Sequence, residues 1–275
     1  MKLVSPTSAQ STIDCGQTER RIAPERVLVS VRSAAEYQLV REMCPRVWVD
    51  LKDPSVGSIG RPSASSLAEL VDALDRRPAA DDRISLALGD LEDYSPDATA
   101  AWPADHLAMV KIGVRQRDRI ARDPAVSASF HRIFAPQRST IRRALVYYSD
   151  LRDDGSEAAA GGGAGWRVES FGRFCSYAAS SGFTGVLIDT CHKRGNSTFD
   201  YLADDELANL IKERSAGLPV MLAGGLTLDM LDSAIATGAA IVGFRSAICR
   251  NAERRGEIDP AKLRWLLQRT GGTIH

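Results

Sequence analysis

The chain has 275 residues, 35 basic and 35 acidic side chains, and a hydrophobic content of 44%. This length suits one large globular domain or two modest ones. Arginine is interspersed with Asp and Glu instead of forming a basic stripe, which argues against a nucleic-acid partner. No apolar run approaches the roughly 20 residues that cross a bilayer, and the N-terminus lacks the apolar core of a signal peptide. We therefore expect a cytoplasmic protein without a membrane partner.

The five cysteines are odd in number, widely spaced and without a CxxC pair. This pattern indicates reduced thiols and favours neither a disulfide framework nor a zinc site.

Residues 1–26 are rich in Ser, Thr, Gln and charge and show no periodicity, so we predict a flexible N-terminal extension. The ordered fold is predicted to span residues 27–275, where short β-branched and aliphatic runs alternate with helical patterns. The predicted strands are 27–31, 47–51, 84–88, 108–112, 144–148, 185–189, 219–223 and 240–244.

The segments between these runs contain helix start and stop signals. The stretches 33–36 (SAAE) and 66–69 (SLAE) have the form of capping boxes, and Asp259-Pro260 is typical of a helix start. Gly182 and Gly238 follow helical patterns and predict their ends.

Eight strands alternating with helices predict an α/β protein with a single (β/α)8 TIM barrel. The alternative is an open doubly wound sheet, which usually has fewer strands and a Gly-rich first turn. Residues 30–33 (SVRS), after the first strand, contain no glycine, so the barrel is favoured.

Residues 151–165 (LRDDGSEAAAGGGAG) form a Gly-rich insertion between the fifth strand and a helix expected near Glu169. The composition predicts a solvated segment that does not pack against the barrel. A second interpretation is a lid over the barrel mouth, because active-site loops of this fold lie on that face.

Three of the six lysines, Lys52, Lys111 and Lys193, lie at or just beyond the ends of predicted strands. Unlike arginine, lysine can lose its proton when partly buried and attack a carbonyl. Chemistry in a barrel takes place at the C-terminal ends of the strands, and alternation turns Asp50, Lys52, Lys111 and Asp189 inward. Neighbouring ammonium groups and burial lower a lysine pKa, so we predict a catalytic set of Lys52, Lys111, Lys193, Asp50 and Asp189.

The segments after the last two strands, 223–227 (AGGLT) and 243–247 (GFRSA), contain glycines that let backbone amides approach an anion. The loops after strands seven and eight are the common phosphate site of this fold. We therefore predict a phosphorylated carbonyl substrate, with Gly224, Gly225, Arg245 and Ser246 near its phosphate.

Three stretches together resemble the (5-formylfuran-3-yl)methyl phosphate synthase family. They are 28–32 (LVSVR), 49–60 (VDLKDPSVGSIG), and 187–190 (LIDT) followed by Lys193 and by Phe199-Asp200. The likeness spans roughly residues 27 to 250, and its most specific part is the second stretch, where Ile59 replaces a more usual Leu.

The resemblance implies an aldolase-like barrel that condenses two molecules of glyceraldehyde 3-phosphate with loss of phosphate and water, without a metal or other cofactor. It further implies that Lys52 forms the Schiff base and that Asp50, Lys111, Asp189 and Lys193 position groups and transfer protons. Ser30 and Arg32 join the predicted substrate-binding residues. Assembly into a homo-oligomer stays open.

Other functions also stay open. A different Schiff-base aldolase or a decarboxylase acting on a sugar phosphate could use the same lysines. Asp50-Leu51-Lys52-Asp53 is also similar to the Asp-x-Lys-x-x-Asp pattern of orotidine-phosphate decarboxylases, although Ser55 stands at the position of the second Asp. A barrel that binds a phosphorylated ligand without consuming it is the alternative from a different class.

Overall fold

The structure is a computed structural model that describes residues 22–76, 83–94, 103–134, 140–161 and 165–270. Eight strands form one closed parallel barrel in which each strand pairs with its neighbour in sequence and the last pairs with the first. The strands are β1 (Val27–Val31), β2 (Trp48–Leu51), β3 (Ile84–Asp90), β4 (Met109–Gly113), β5 (Arg142–Tyr148), β6 (Gly185–Asp189), β7 (Val220–Leu222) and β8 (Ile241–Phe244). The predicted TIM barrel is confirmed, and closure between β1 and β8 excludes the open sheet.

Helices cover the outside of the barrel. They are α1 (Ala34–Met43), α2 (Ala64–Arg76), α3 (Arg117–Arg122), α4 (Pro124–Phe134), α5 (Gly165–Ser180), α6 (Asp204–Arg214), α7 (Leu231–Ala236) and α8 (Pro260–Gln268). Among the described residues between β3 and β4, only two 3-10 turns occur, at Leu91–Asp93 and Ala104–His106. Residues 95–102, in the same connection, lie outside the described ranges.

Neither predicted capping box forms as expected in the structure. The Ser33 hydroxyl accepts the Glu36 N–H at the start of α1, as predicted, but the Glu36 carboxylate accepts from the Arg32 N–H instead of closing a capping box. Helix α2 begins before Ser66, whose N–H donates to the Ser63 hydroxyl at 3.2 Å. Ser63 offers the same capping group three residues earlier. The predicted start at Asp259-Pro260 is confirmed, since the Asp259 carboxylate accepts two N–H groups of α8.

Two apolar layers surround the sheet. The outer layer fills the space between strands and helices. The inner layer fills the barrel and includes Trp48, Met109 and Leu187, each two positions before a charged residue that was predicted to face inward. Strand alternation that turns these residues inward also turns the charged residues at the strand ends towards the mouth of the barrel.

Of the predicted N-terminal extension, residues 1–26, the first 21 residues lie outside the described residues. The last part of the predicted extension packs against the barrel. Ile22 is buried and donates its N–H to the Arg269 carbonyl, and Pro24–Arg26 forms a 3-10 turn before β1. The ordered fold therefore includes residues before Val27. No helix in the described ranges is long and apolar enough to span a membrane.

The segment after β5 also differs from its prediction. Residues 162–164 lie outside the described part, but residues 151–161 contact the barrel instead of being fully solvated. Leu151 and Ala158 are buried, and Leu151 forms an antiparallel bridge with Glu157. Arg117, itself buried, donates to the Leu151 carbonyl at 2.6 Å. The composition of this segment predicted a solvated loop, but Arg117, which is distant in sequence, satisfies part of its backbone and allows it to pack. Helix α5 then begins at Gly165, four residues before Glu169.

Candidate active site

A cavity of about 430 Å³ opens at the C-terminal ends of the strands. Its volume falls within the usual range for small-molecule sites. It is lined by all five predicted catalytic residues, which come from three strands and the loops that follow them: Asp50, Lys52, Lys111, Asp189 and Lys193. Residues separated by up to 143 positions in the chain thus share one small space.

Asp50 and Lys111 form a buried ion pair in this cavity. The Lys111 Nζ lies 2.7 Å from Asp50 Oδ1, and both side chains are almost fully shielded from solvent. The hydroxyls of Ser30 and Ser85 also donate to the Asp50 carboxylate, at 3.1 and 2.8 Å. Three donors therefore fix the position of this carboxylate, as a buried charge requires.

Asp189 and Lys193 form a second pair. The Lys193 Nζ donates to Asp189 Oδ1 at 2.6 Å and to the Thr190 hydroxyl at 2.9 Å. The other carboxylate oxygen accepts the Ser58 hydroxyl at 2.7 Å. Burial alone would raise the pKa of Asp189, but the ammonium groups of Lys193 and Lys52 outweigh it and lower that pKa. Asp189 is therefore a carboxylate at neutral pH.

Lys52 lies between these pairs. Its Nζ donates to the Ser58 carbonyl at 3.1 Å. Burial lowers the pKa of the Lys52 amine from 10.5 to about 7; Asp50 and Asp189 oppose this shift, and Lys111 and Lys193 add to it. A substantial fraction of the amine is therefore unprotonated near neutral pH and able to attack a carbonyl.

The loop after β2 supports Lys52. Its two ends meet where the Asp53 N–H donates to the Gly60 carbonyl at 2.8 Å. Ile59 inserts into the inner layer, and its carbonyl accepts the Gly89 N–H. These contacts hold Ser58 between Lys52 and Asp189, which gives a physical reason for the stretch 49–60 to be the most distinctive part of the sequence.

The glycine loops after β7 and β8 also line the cavity, and Gly224 lies beside Asp189. Gly224 has a φ of +94°, and a Cβ there would overlap the Thr198 hydroxyl and the Thr190 amide. In the described part of the chain, the N–H groups of Gly224, Gly225 and Ser246 donate no hydrogen bond to protein. Unused backbone N–H groups beside a cavity can hold an anion, in agreement with the predicted phosphate site.

Arg245, which was predicted to contact phosphate directly, is committed to other contacts. Its guanidinium forms an ion pair with Glu36 and donates to the carbonyls of Ser30, Arg254 and Gly256. These bonds use all five of its N–H groups. Arg245 lines the cavity, but its donors are used within the protein, where they tie the loop after β8 to the barrel. Direct contact of this side chain with phosphate stays a prediction.

Arg32, another predicted substrate-binding residue, does not line the cavity. Its side chain is partly exposed and lies near Glu36 and the Arg255 carbonyl, in a separate surface groove. Ser30 lies within β1, where strand alternation turns its side chain into the barrel. Arg32 follows the end of β1, so the alternation of the strand no longer fixes its direction. Ser30 does line the cavity, where it contacts Asp50.

Sequence reasoning missed three residues of the site. Ser58 lies within the recognised stretch 49–60 but was given no role, and Ser85 could have been found from strand alternation. Arg254 lines the cavity from the loop after β8, where no strand or motif marks its position. Over the described ranges, no group of three or more His, Cys, Asp or Glu side chains is arranged to hold a metal ion.

A closed barrel with a buried, partly unprotonated lysine among carboxylate–lysine pairs defines an aldolase-like TIM barrel enzyme. Comparison with known families gives the finer assignment. Residues 27–266 match the sequence profile of 4-HFC-P synthase. The chain therefore belongs to the 4-HFC-P synthase family, as the sequence resemblance indicated.

Two archaeal relatives carry the name (5-formylfuran-3-yl)methyl phosphate synthase. The protein of Methanocaldococcus jannaschii is 25% identical over 215 residues, which cover 77% of this chain and 85% of that one. The protein of Methanopyrus kandleri is 26% identical over 224 residues, covering 80% and 88%.

Among solved structures, phosphoribosyl anthranilate isomerase from Thermococcus kodakaraensis is similar, with a TM-score of 0.55 and 17% identity. The match covers 89% of this chain and 98% of the isomerase. At this level of identity the likeness extends to the barrel fold only.

Proposed function

We propose that this protein condenses two molecules of glyceraldehyde 3-phosphate into (5-formylfuran-3-yl)methyl phosphate through a Schiff base on Lys52. The overall reaction releases one phosphate and two waters, which makes the enzyme a carbon–oxygen lyase. The observation that carries the proposal is the buried Lys52 amine with a pKa of about 7, enclosed by two carboxylate–lysine pairs. Membership of the family supports the choice of product.

The first half of the reaction takes place on Lys52. The amine condenses with the aldehyde of one triose phosphate and releases water, and the resulting imine acidifies the neighbouring C2–H. Asp189 with Lys193 accepts the C2 proton. Electrons then form a C2–C3 double bond while the C3–O bond breaks, so that phosphate leaves and an enol conjugated to the imine remains.

The second half builds the ring. The branched skeleton of the product requires the enol carbon C3 to attack C2 of the second triose, which must therefore react as its ketose tautomer. Asp50 with Lys111 is suited to move the proton between the two carbons of that tautomer. A hydroxyl of the second triose then closes onto the C2 carbonyl of the first. Two dehydrations give the furan, and hydrolysis of the imine frees Lys52.

The retained phosphate of the second triose binds at the loops after β7 and β8. The unused amide groups of Gly224, Gly225 and Ser246 support this location. Backbone donors hold a phosphate without competing with the lysines for the carbonyl groups that react.

The test is to incubate purified protein with glyceraldehyde 3-phosphate while measuring inorganic phosphate and near-ultraviolet absorbance. The proposal predicts one phosphate released for each furan aldehyde formed. Lys52→Arg keeps the charge but cannot form an imine, and its turnover should fall at least about 1,000-fold, as expected when a covalent catalyst is removed. Exposed Lys212→Arg is the matched control and should keep normal turnover.

Consumption of the triose without phosphate release or absorbance would indicate a different Schiff-base aldolase. Binding without consumption would indicate a ligand-binding barrel. Near-normal turnover by Lys52→Arg would contradict the Schiff base itself.

A further inference from the structure

The loop after β8 carries Arg254, a cation at the cavity with no role in the mechanism proposed above. Arg254 is half-buried, lines the cavity and donates its Nη2 to the Gly57 carbonyl at 2.7 Å. It thereby connects the loop after β8 with the loop after β2, which follows Lys52. A guanidinium has five N–H donors in a planar fork, and this hydrogen bond occupies one of them.

The charges of the cavity leave Arg254 without a carboxylate. Lys111 is paired with Asp50 and Lys193 with Asp189. Throughout the described ranges, no carboxylate lies within ion-pair distance of the Arg254 guanidinium. A partly desolvated cation with four unused donors at the wall of a cavity is suited to bind an anion.

Its position relative to Lys52 indicates which anion. Lys52 contacts the carbonyl of Ser58, and Arg254 contacts the carbonyl of the preceding residue, Gly57. Successive Cα atoms lie about 3.8 Å apart, so both cations approach one short stretch of backbone. A three-carbon chain joined to the Lys52 amine would place its terminal phosphate several ångströms from that amine, inside the cavity that Lys52 and Arg254 both line.

The backbone around Arg254 is held in place and locally strained. Arg245 Nε donates to the Arg254 carbonyl at 2.9 Å, and Arg245 Nη2 donates to the Gly256 carbonyl at 2.7 Å. Just before Arg254, Asn251 and Ala252 both adopt the left-handed region, with φ of 53° and 55°. Such conformations are uncommon outside glycine and cluster at ligand sites. The buried Arg245 therefore acts as a positioning residue for Arg254.

We propose that Arg254 binds the phosphate of the triose joined to Lys52, which is the phosphate that leaves. This inference rests on the proposed function and assigns that phosphate a subsite separate from the glycine loops. When the C2 proton is removed and the C3–O bond breaks, its electron pair passes to the departing phosphate. The guanidinium fork stabilises the negative charge that develops there.

The test compares borohydride trapping of two aldehydes, glyceraldehyde and glyceraldehyde 3-phosphate, on wild-type protein, Arg254→Gln and Arg255→Gln. Arg255 is the matched control because it also donates to the loop after β2, at the Ser55 carbonyl, but does not line the cavity. The measured quantity is the ratio of trapping efficiencies for the phosphorylated and unphosphorylated aldehydes.

Wild-type protein and Arg255→Gln should favour the phosphorylated aldehyde equally. In Arg254→Gln this preference should fall about 10- to 100-fold, the usual effect of losing charge-assisted hydrogen bonds, while trapping of glyceraldehyde is unchanged. An unchanged preference in Arg254→Gln would overturn the inference. So would an equal loss with both aldehydes, which would mean that Arg254 only positions the loop. If Arg254→Gln does not fold, Arg254→Lys takes its place and should show a smaller fall.

If wild-type protein traps neither aldehyde, the Schiff-base proposal fails, and titration with inorganic phosphate decides on Arg254 separately. Weaker phosphate binding by Arg254→Gln than by Arg255→Gln would support the subsite. Equal binding by the two variants would exclude it.

Discussion

Lys52 shows how burial outweighs attraction at a single residue. Asp50 and Asp189 lie close enough to favour its ammonium form, yet desolvation lowers the pKa of the amine to about 7. The carboxylates lose influence because each is already paired with another lysine. The two carboxylate–lysine pairs thus let Lys52 be buried among charges and still lose its proton readily.

This pKa predicts the pH dependence of imine formation at Lys52. The Lys52 amine takes up a proton as pH falls below about 7, so its reactive neutral form is lost there and is fully present well above pH 7. The rate of trapping at saturating aldehyde should rise about tenfold for each pH unit below 7 and then level off, since a one-unit shift changes the free amine tenfold. Stopped trapping reactions analysed by mass spectrometry give this rate. A rate that keeps rising up to pH 10 would show that burial does not lower the Lys52 pKa.

At the scale of elements, the end of β4 is shaped by its two neighbours in the barrel. Tyr148 at the end of β5 donates to Asp90 Oδ1 at the end of β3 at 2.5 Å, passing over Gly113 between them. A Cβ on Gly113 would overlap both the Asp90 carboxylate and the Tyr148 hydroxyl. Glycine at this position therefore lets three strand ends interlock.

Gly113→Ala should lower the free energy of unfolding by about 1–3 kcal/mol, the usual cost of forcing extra atoms into a filled core. Urea unfolding monitored by circular dichroism measures this change. Gly172→Ala in α5 is the matched control, because its Cβ would make only ordinary contacts with Arg214. The control should instead gain up to about 1 kcal/mol from better helix propensity. Equal stability of Gly113→Ala and the wild type would refute the interlocking role of Gly113.

At the scale of the whole molecule, the sequence predicted those features that depend on local periodicity. Every strand was located within two residues of its position in the structure. Barrel topology and strand alternation then brought Asp50, Lys52, Lys111, Asp189 and Lys193 into one cavity. In this fold the active site lies at the C-terminal ends of the strands, so locating the strands in the sequence also predicts which side chains meet there.

The features that sequence analysis did not predict are contacts between distant parts of the chain. Arg245 had the sequence context of a phosphate ligand, but its guanidinium is occupied by Glu36, 209 positions away. The polar segment 151–161 is packed because Arg117, on a different helix, satisfies its backbone. No sequence pattern pairs Arg245 with Glu36 or Arg117 with the segment 151–161. Arg254 was missed for a related reason, since its position at the cavity depends on a loop conformation that no sequence pattern predicts.

The central claim is that the Lys52 amine forms a covalent imine with the substrate. Borohydride reduction in the presence of glyceraldehyde 3-phosphate, followed by proteolysis and peptide mass spectrometry, tests it most directly. The account predicts one adduct, on the peptide that contains Lys52, and none in Lys52→Arg. An adduct on Lys193 instead, or no adduct while the enzyme turns over, would contradict it.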